Sequence, residues 1–294
     1  MADKDIDQLI DESLNIENNE LDLREKELKD EDLIEIVKSE KIKTVTAMFL
    51  EFNEIGDKGV IALAESEFTK HVTVVNLFKN EVTDLGVKSI AASKNFLNLS
   101  ELILSDNKVT AEGVRAIASS KILGNLVSLW VGDGLGDEGA VAIAESTTLT
   151  RLNLLSLYRN NIGDAGAIAL ANSKALSKLT ELNLNWNFIE EDGVRAIVNS
   201  ENLKNLTQLT LTYNPIGSGG AAAIASSPNL GNLTLLDLFE TDLGDSGARK
   251  IAESDKLPNL ETLILIRNDV KPETQEIFKD SKNFEKLSKV VFRQ

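Results

Sequence analysis

The sequence predicts an α/β fold: a right-handed solenoid wound as a horseshoe, with a concave parallel β-sheet and convex α-helices. Three observations carry this. Glycines recur at 59, 86, 113, 139, 166, 193, 220 and 247, every 27 residues apart from one interval of 26 between 113 and 139. Six residues before most of them stands an asparagine (Asn53, Asn80, Asn107, Asn160, Asn187, Asn214), and the series runs on to Thr241 and Asn268. Leu-x-x-Leu-x-Leu precedes this position, as in Leu152/Leu155/Leu157, and a branched apolar residue such as Ile55, Val82 or Ile162 follows it. Self-similarity at a fixed period of this length is the signature of a repeat architecture.

Each part of the unit has its own reason. The Leu-x-Leu stretch has period two and predicts a short strand. The Gly-x-x-x-Ile-Ala-x-Ser stretch, as in Gly113 to Ser120, has apolar residues at i, i+3 and i+4 and predicts a helix. Asp57, Asp84, Asp137, Asp164 and Asp245 stand where N-caps of these helices are expected. Strand and helix in alternation require parallel pairing with right-handed crossovers. One unit cannot bury its leucines, whereas stacked units can. The asparagine amide donates and accepts, so it can serve its own turn and the adjacent coil. Strands stack at about 4.8 Å and helices at about 8–10 Å, which forces curvature with the sheet inside.

The ends read as caps. Ile6, Leu9, Ile10 and Leu14 are spaced for an amphipathic helix, so residues 1–18 form an N-terminal capping helix. Residues 19–282 hold ten repeats of about 27 residues, the first degenerate, with Lys26 in the asparagine slot and Asp32 in the glycine slot. Pro272 suits the first position of the last helix. Leu287, Val290 and Phe292 belong to a closing strand in 283–294. No linker interrupts the pattern, and one continuous domain is expected.

With these motifs in place, the chain resembles the leucine-rich repeat family, specifically its helix-containing, ribonuclease-inhibitor-like class, over about residues 16 to 294. The resemblance implies a non-catalytic scaffold that binds a protein partner on its concave face. That family also includes many bacterial effectors acting inside host cells and GTPase-activating proteins for Ran, so a regulator of a small GTPase is the alternative. The inhibitor itself is rich in cysteine and this chain has none, so its ligand is not carried over.

Composition narrows the chemistry. The 31 Lys and Arg against 47 Asp and Glu give a net charge of −16. That disfavours nucleic acid, where phosphate neutralisation dominates affinity, and an anionic membrane surface. Half of this charge lies in residues 1–43, which hold fifteen acidic and seven basic residues. A solvated cap accounts for it, and a site for a basic partner is the sharper alternative. The absence of cysteine removes disulfides, thiolate metal sites and a Cys nucleophile. The one histidine, His71, is expected in a surface loop without Ser or Asp partners. Neither cofactor nor metal is expected. Met1–Asp5 starts no leader pattern, and no run reaches 18 apolar residues, so a soluble cytoplasmic monomer is expected, an effector delivered into a host cell being the narrower form.

Two motifs are assigned to the repeat. Gly134-Leu135-Gly136-Asp137-Glu138-Gly139 matches a dinucleotide fingerprint, but Gly136 and Gly139 are repeat positions, and the next strand offers no acidic residue for a ribose. Gly132 and Gly134 coincide with the 26-residue unit and are read as relieving a one-residue deletion. The sequons at Asn98, Asn205 and Asn232 recur because the unit recurs.

Function is expected between the leucines. With the turn asparagine as zero, positions −4, −2 and −1 face the concave side. The expected partner-binding residues are Phe49, Glu51, Phe78, Ile103, Trp130, Tyr158, Arg159, Asn185, Trp186, Thr212, Tyr213 and Phe239. Eight of the fourteen aromatic residues fall in these slots, and clustered exposed aromatics mark binding surfaces. Phe52, Trp186 and Tyr213, at −1, are the ones expected to fold down onto the sheet edge. Arg159 and Arg267 flank the turns, where an arginine finger would stand.

Overall fold

The computed structural model describes residues 5–280 and 283–292. The first four residues of the expected N-terminal cap, residues 281–282 at the end of the repeats, and Arg293 and Gln294 of the closing segment lie outside them. The chain divides into two compact units, residues 1–133 with 146–151, and residues 134–145 with 152–294.

The first unit opens with α1 (Ile6–Ser13), whose N-cap Asp5 accepts from the Gln8 amide, and which buries Ile10. A two-residue strand β1 (Leu14–Asn15) then pairs antiparallel with β2 (Glu20–Asp22). The cap therefore joins the sheet through a hairpin that the repeat pattern does not foretell. Parallel strands follow in sequence order: β3 (Ala47–Phe49), β4 (Val74–Asn76), β5 (Glu101–Ile103) and β6 (Ser128–Trp130). Between them run α2 (Asp30–Ile36), α3 (Asp57–Glu65), α4 (Asp84–Ala92) and α5 (Ala111–Ser119).

The second unit holds α6 (Gly136–Ala144), β7 (Leu154–Ser156), α7 (Asp164–Asn172), β8 (Glu181–Asn183), α8 (Glu191–Val198), β9 (Gln208–Thr210), α9 (Gly217–Ser226), β10 (Leu235–Asp237), α10 (Gly244–Ala252), β11 (Thr262–Ile264), α11 (Pro272–Asp280) and β12 (Lys289–Val291). Strands β7 to β12 pair parallel and in order. Registers place leucine beside leucine, as in Leu182 beside Leu155 and Leu209, and the ladder leucines are fully or almost fully buried in both units. No helix among the described residues is long and apolar enough to cross a membrane.

Three polar ladders hold successive coils. In the first, Asn80 Nδ2 donates to Leu77 O in its own coil and to Leu50 O in the preceding one, while its Oδ1 accepts from the Ile55 amide. In the second, the helix-start aspartate does not cap its own helix. Asp57 is the first residue of α3, whose N-cap is Gly56. Its Oδ1 accepts from the Thr83 and Gly86 amides at 2.8 and 2.9 Å, and its Oδ2 from the Thr83 hydroxyl at 2.6 Å. Each carboxylate thus meets the positive N-terminal end of the helix that follows in the stack. This also explains the glycine at positions 59, 86, 113, 166 and 193. A Cβ at Gly113 would stand 2.5 Å from Asp84 Oδ1, and one at Gly193 2.5 Å from Asp164 Oδ1. In the third ladder, serines such as Ser173 and Ser254 donate to helix-end carbonyls of the preceding coil, Ala144 O and Ala225 O.

The sequon asparagines form a further rung, with Asn98, Asn205 and Asn232 donating to Lys70 O, Ser177 O and Lys204 O. In the short unit Gly134 takes left-handed backbone, with φ of 92°, as expected of one of its two extra glycines, but so does Asp133, a residue with a side chain, with φ of 139°. The Gly134, Leu135 and Gly136 amides donate to Arg159 O, Asn160 Oδ1 and Asn160 O. The amides that a phosphate would need are therefore engaged by the next turn.

Candidate functional site

Strand alternation turns the leucines inward and aims positions −4 and −2 at the open face of the sheet. Beyond the three-residue strands the chain bends. The residues at −1 take left-handed backbone, with φ of 57° at Phe52, 54° at Lys79, 56° at Arg159, 58° at Trp186 and 56° at Tyr213. That conformation costs a side-chain-bearing residue roughly 1–2 kcal/mol. It is held by the continuing backbone ladder, in which the Phe52, Trp186 and Tyr213 amides donate to Phe78 O, Thr212 O and Phe239 O.

This geometry corrects the expectation for position −1. Phe52 and Trp186 do not fold down: they are 43% and 46% exposed, because the left-handed turn swings the side chain away from the sheet edge. Tyr213 is half-buried by its neighbours. Glu51 is corrected in the other direction. It is only 7% exposed, and Asn76 on the next strand donates to its Oε1 at 2.6 Å. Burial pushes its carboxyl above the ordinary range, against a smaller downward pull from its own amide and from Arg24.

In the first unit, Phe49, Phe78, Ile103 and Trp130 are half-buried. Phe52 and Phe78 meet edge to face at 5.3 Å. The Arg24 guanidinium lies 5.6 Å from the Phe49 ring centre, and the Lys79 ammonium 5.1 Å from that of Phe52. Trp130 donates from Nε1 to Ser128 Oγ at 3.0 Å.

In the second unit, the structure brings three of the expected residues into one stack. Trp186 and Tyr213 lie 4.0 Å apart between ring centres, and Tyr213 and Phe239 5.2 Å apart. Arg267 ends the stack, 5.4 Å from the Phe239 centre, bonded to Glu240 at 2.8 Å and to the Tyr213 hydroxyl at 3.3 Å. The guanidinium considered above as a finger is thus committed within the chain. Around the stack, Asn183 Oδ1 accepts from the Asn185 amide and the Thr210 hydroxyl, and Asn185 Oδ1 from the Thr212 amide. Burial raises the Asp237 carboxyl, opposed by the Phe239 amide and the neighbouring Thr212 hydroxyl. Tyr158 lies apart from the stack, half-buried beneath Arg159, whose guanidinium is 5.9 Å from its ring centre. Sequence reasoning missed Phe188, 61% exposed, beside the turn asparagine Asn187; it stands at position +1, which strand alternation does not address. His71 lies exposed in a turn, as expected.

Comparison with known proteins settles the family. The profile described as Leucine Rich repeat matches residues 43–64, 70–91, 97–118, 145–171, 175–198, 202–225 and 232–252. The chain belongs to the leucine-rich repeat family. Among solved structures, this leucine-rich repeat protein is similar to an internalin from Listeria monocytogenes, with 18% identity over 95% of this chain and 81% of that one and a TM-score of 0.55. It is also similar to a leucine-rich repeat protein of Leptospira interrogans, with 22% identity over 85% of this chain and 55% of that one and a TM-score of 0.53. These likenesses are of fold. No curated protein sequence matches the chain.

Proposed function

We propose that the chain is a non-catalytic scaffold that binds a protein partner on its sheet face, with Trp186, Tyr213 and Phe239 as the principal contact. The observation that carries this is the Trp186–Tyr213–Phe239 stack, whose members at −1 are held in left-handed turns by backbone hydrogen bonds. Large aromatic side chains on a rigid backbone bury much area for little loss of entropy. The ordered Asn and Thr groups beside them supply directional hydrogen bonds. The family supports the same reading, since its fold is a general interaction scaffold.

The test is capture from a cognate lysate by the parent chain and by the triple variant Trp186→Ala/Tyr213→Ala/Phe239→Ala. Loss of a discrete partner at unchanged secondary structure is expected, and undiminished capture would refute the assignment. The captured partner also tests the expected setting, the cytoplasm of the source cell or of a host. Small-GTPase hydrolysis measured with and without the protein is expected to show no acceleration.

A further inference from the structure

The sheet face of the first unit differs in character from the stack just described. Its −6 to −1 positions carry Glu20, Asp22, Glu25, Glu101, Asp106 and Asp133 around the buried Glu51, opposed in those slots by Arg24 and Lys79. An excess of acid alone names no ligand, but two further observations do. Glu51 occupies a face position but is buried, with Oε1 held by Asn76, while its Oε2 finds no hydrogen-bond partner in another residue. The rings beside it already attract cations, with Arg24 over Phe49 and Lys79 over Phe52. A cleft of about 400 Å³ lies alongside, lined by Glu12, Ser13, Asp22, Arg24, Glu25 and Lys26.

A buried carboxylate oxygen without a partner costs free energy that a hydrogen-bond donor recovers. A neutral donor could meet the oxygen but would gain nothing from the ring faces, and an anion would be repelled. A guanidinium satisfies both, because it stacks on aromatic faces and presents a planar fork of N–H groups to carboxylates. We propose that the sheet face of the first unit binds an arginine-bearing, extended basic segment of a protein. One guanidinium takes the place over Phe49 that Arg24, bonded to Asp22, holds within the chain and meets Glu51, and the flanking carboxylates take the neighbouring cations. This site is independent of the Trp186 stack.

Fluorescence polarisation with the full chain tests it. The probes are labelled Gly/Ser-spaced peptides bearing four arginines, four lysines or four citrullines, the last a neutral isostere of arginine. The arginine peptide is expected to bind most tightly, lysine more weakly, and citrulline not measurably. Phe49→Ala and Glu51→Gln should each weaken the arginine peptide about tenfold, the scale of one desolvated cation–π or charge-assisted contact. Phe49→Leu keeps apolar volume without the ring and should give the same loss if the alanine variant fails to fold. Trp186→Ala, and Asp192→Asn with Glu273→Gln on the helices, should leave binding within about twofold. Equal binding by all variants would reduce the effect to attraction by net charge and overturn the proposal, as would lysine binding as tightly as arginine or no binding of the arginine peptide.

Discussion

Replacing Asn187 with alanine removes one rung of the turn ladder from the second unit. The amide is 3% exposed. Its Nδ2 donates to Leu157 O, Leu184 O and Asn185 O at 2.9, 2.8 and 3.3 Å, and its Oδ1 accepts from the Asn160 and Ile162 amides, both at 3.0 Å. Alanine leaves these backbone groups to water or to nothing. At about 1 kcal/mol net per bond, and more for a group left buried and unpaired, the loss is about 3–5 kcal/mol. Because each coil contacts only its neighbours, the damage stays at this coil and those beside it. In a chain of this size it corresponds to a fall in Tm of roughly 10 °C. Urea unfolding followed by circular dichroism gives the midpoint and slope. Asn98→Ala is the control, since that exposed amide makes a single bond to Lys70 O, and it should cost less than about 1 kcal/mol. An Asn187→Ala midpoint within about 1 kcal/mol of the parent, at the same slope, would refute the ladder as a principal support.

Other outcomes follow from the same geometry. Gly113→Ala forces a Cβ against Asp84 Oδ1 and should cost about 2 kcal/mol or more, whereas Gly231→Ala, with nothing within 4 Å, should be neutral or slightly stabilising; thermal melts compare them. Thr241 fills an asparagine slot, and its hydroxyl is shared between Leu238 O of its own coil and Asn268 Oδ1 of the next, so Thr241→Asn should add the bond to the preceding coil that Asn214 makes to Leu184 O, worth about 1 kcal/mol. Glu51 titrates above its ordinary value of about 4.5 because it is buried. The native chain therefore holds that proton to higher pH than the unfolded chain. Its contribution to stability falls as pH rises through this window, and above it the penalty is complete. Glu51→Gln should accordingly be more stable relative to the parent at neutral pH, with the difference vanishing near pH 4 in parallel denaturant titrations; a difference that grows on acidification would contradict this.

Strands, helices and the inward leucines were legible because periods of 2 and 3.6 leave their mark within ten residues. The partners of Asp57 were not. Local reading makes it the cap of its own helix, yet its ligands Thr83 and Gly86 lie 26 and 29 residues on and become neighbours only when coils stack. The same stacking reaches Glu51: alternation aimed it at the sheet face, but Asn76 of the next coil holds its Oε1. Trp186 shows a different failure. Strand alternation ends with the strand, and the left-handed residue after it points where backbone torsion directs. The Trp186–Tyr213–Phe239 stack was foreshadowed by aromatics in equivalent slots, although which rings meet is decided by the stacking of the coils.

A photo-crosslinking amino acid placed at residue 186, with its counterpart at the exposed Ile168 of α7, tests most directly whether the sheet face is the working surface. The prediction is a discrete covalent adduct with a protein partner from position 186 and none from 168. An adduct from 168 with position 186 silent would place recognition on the helices and contradict the account.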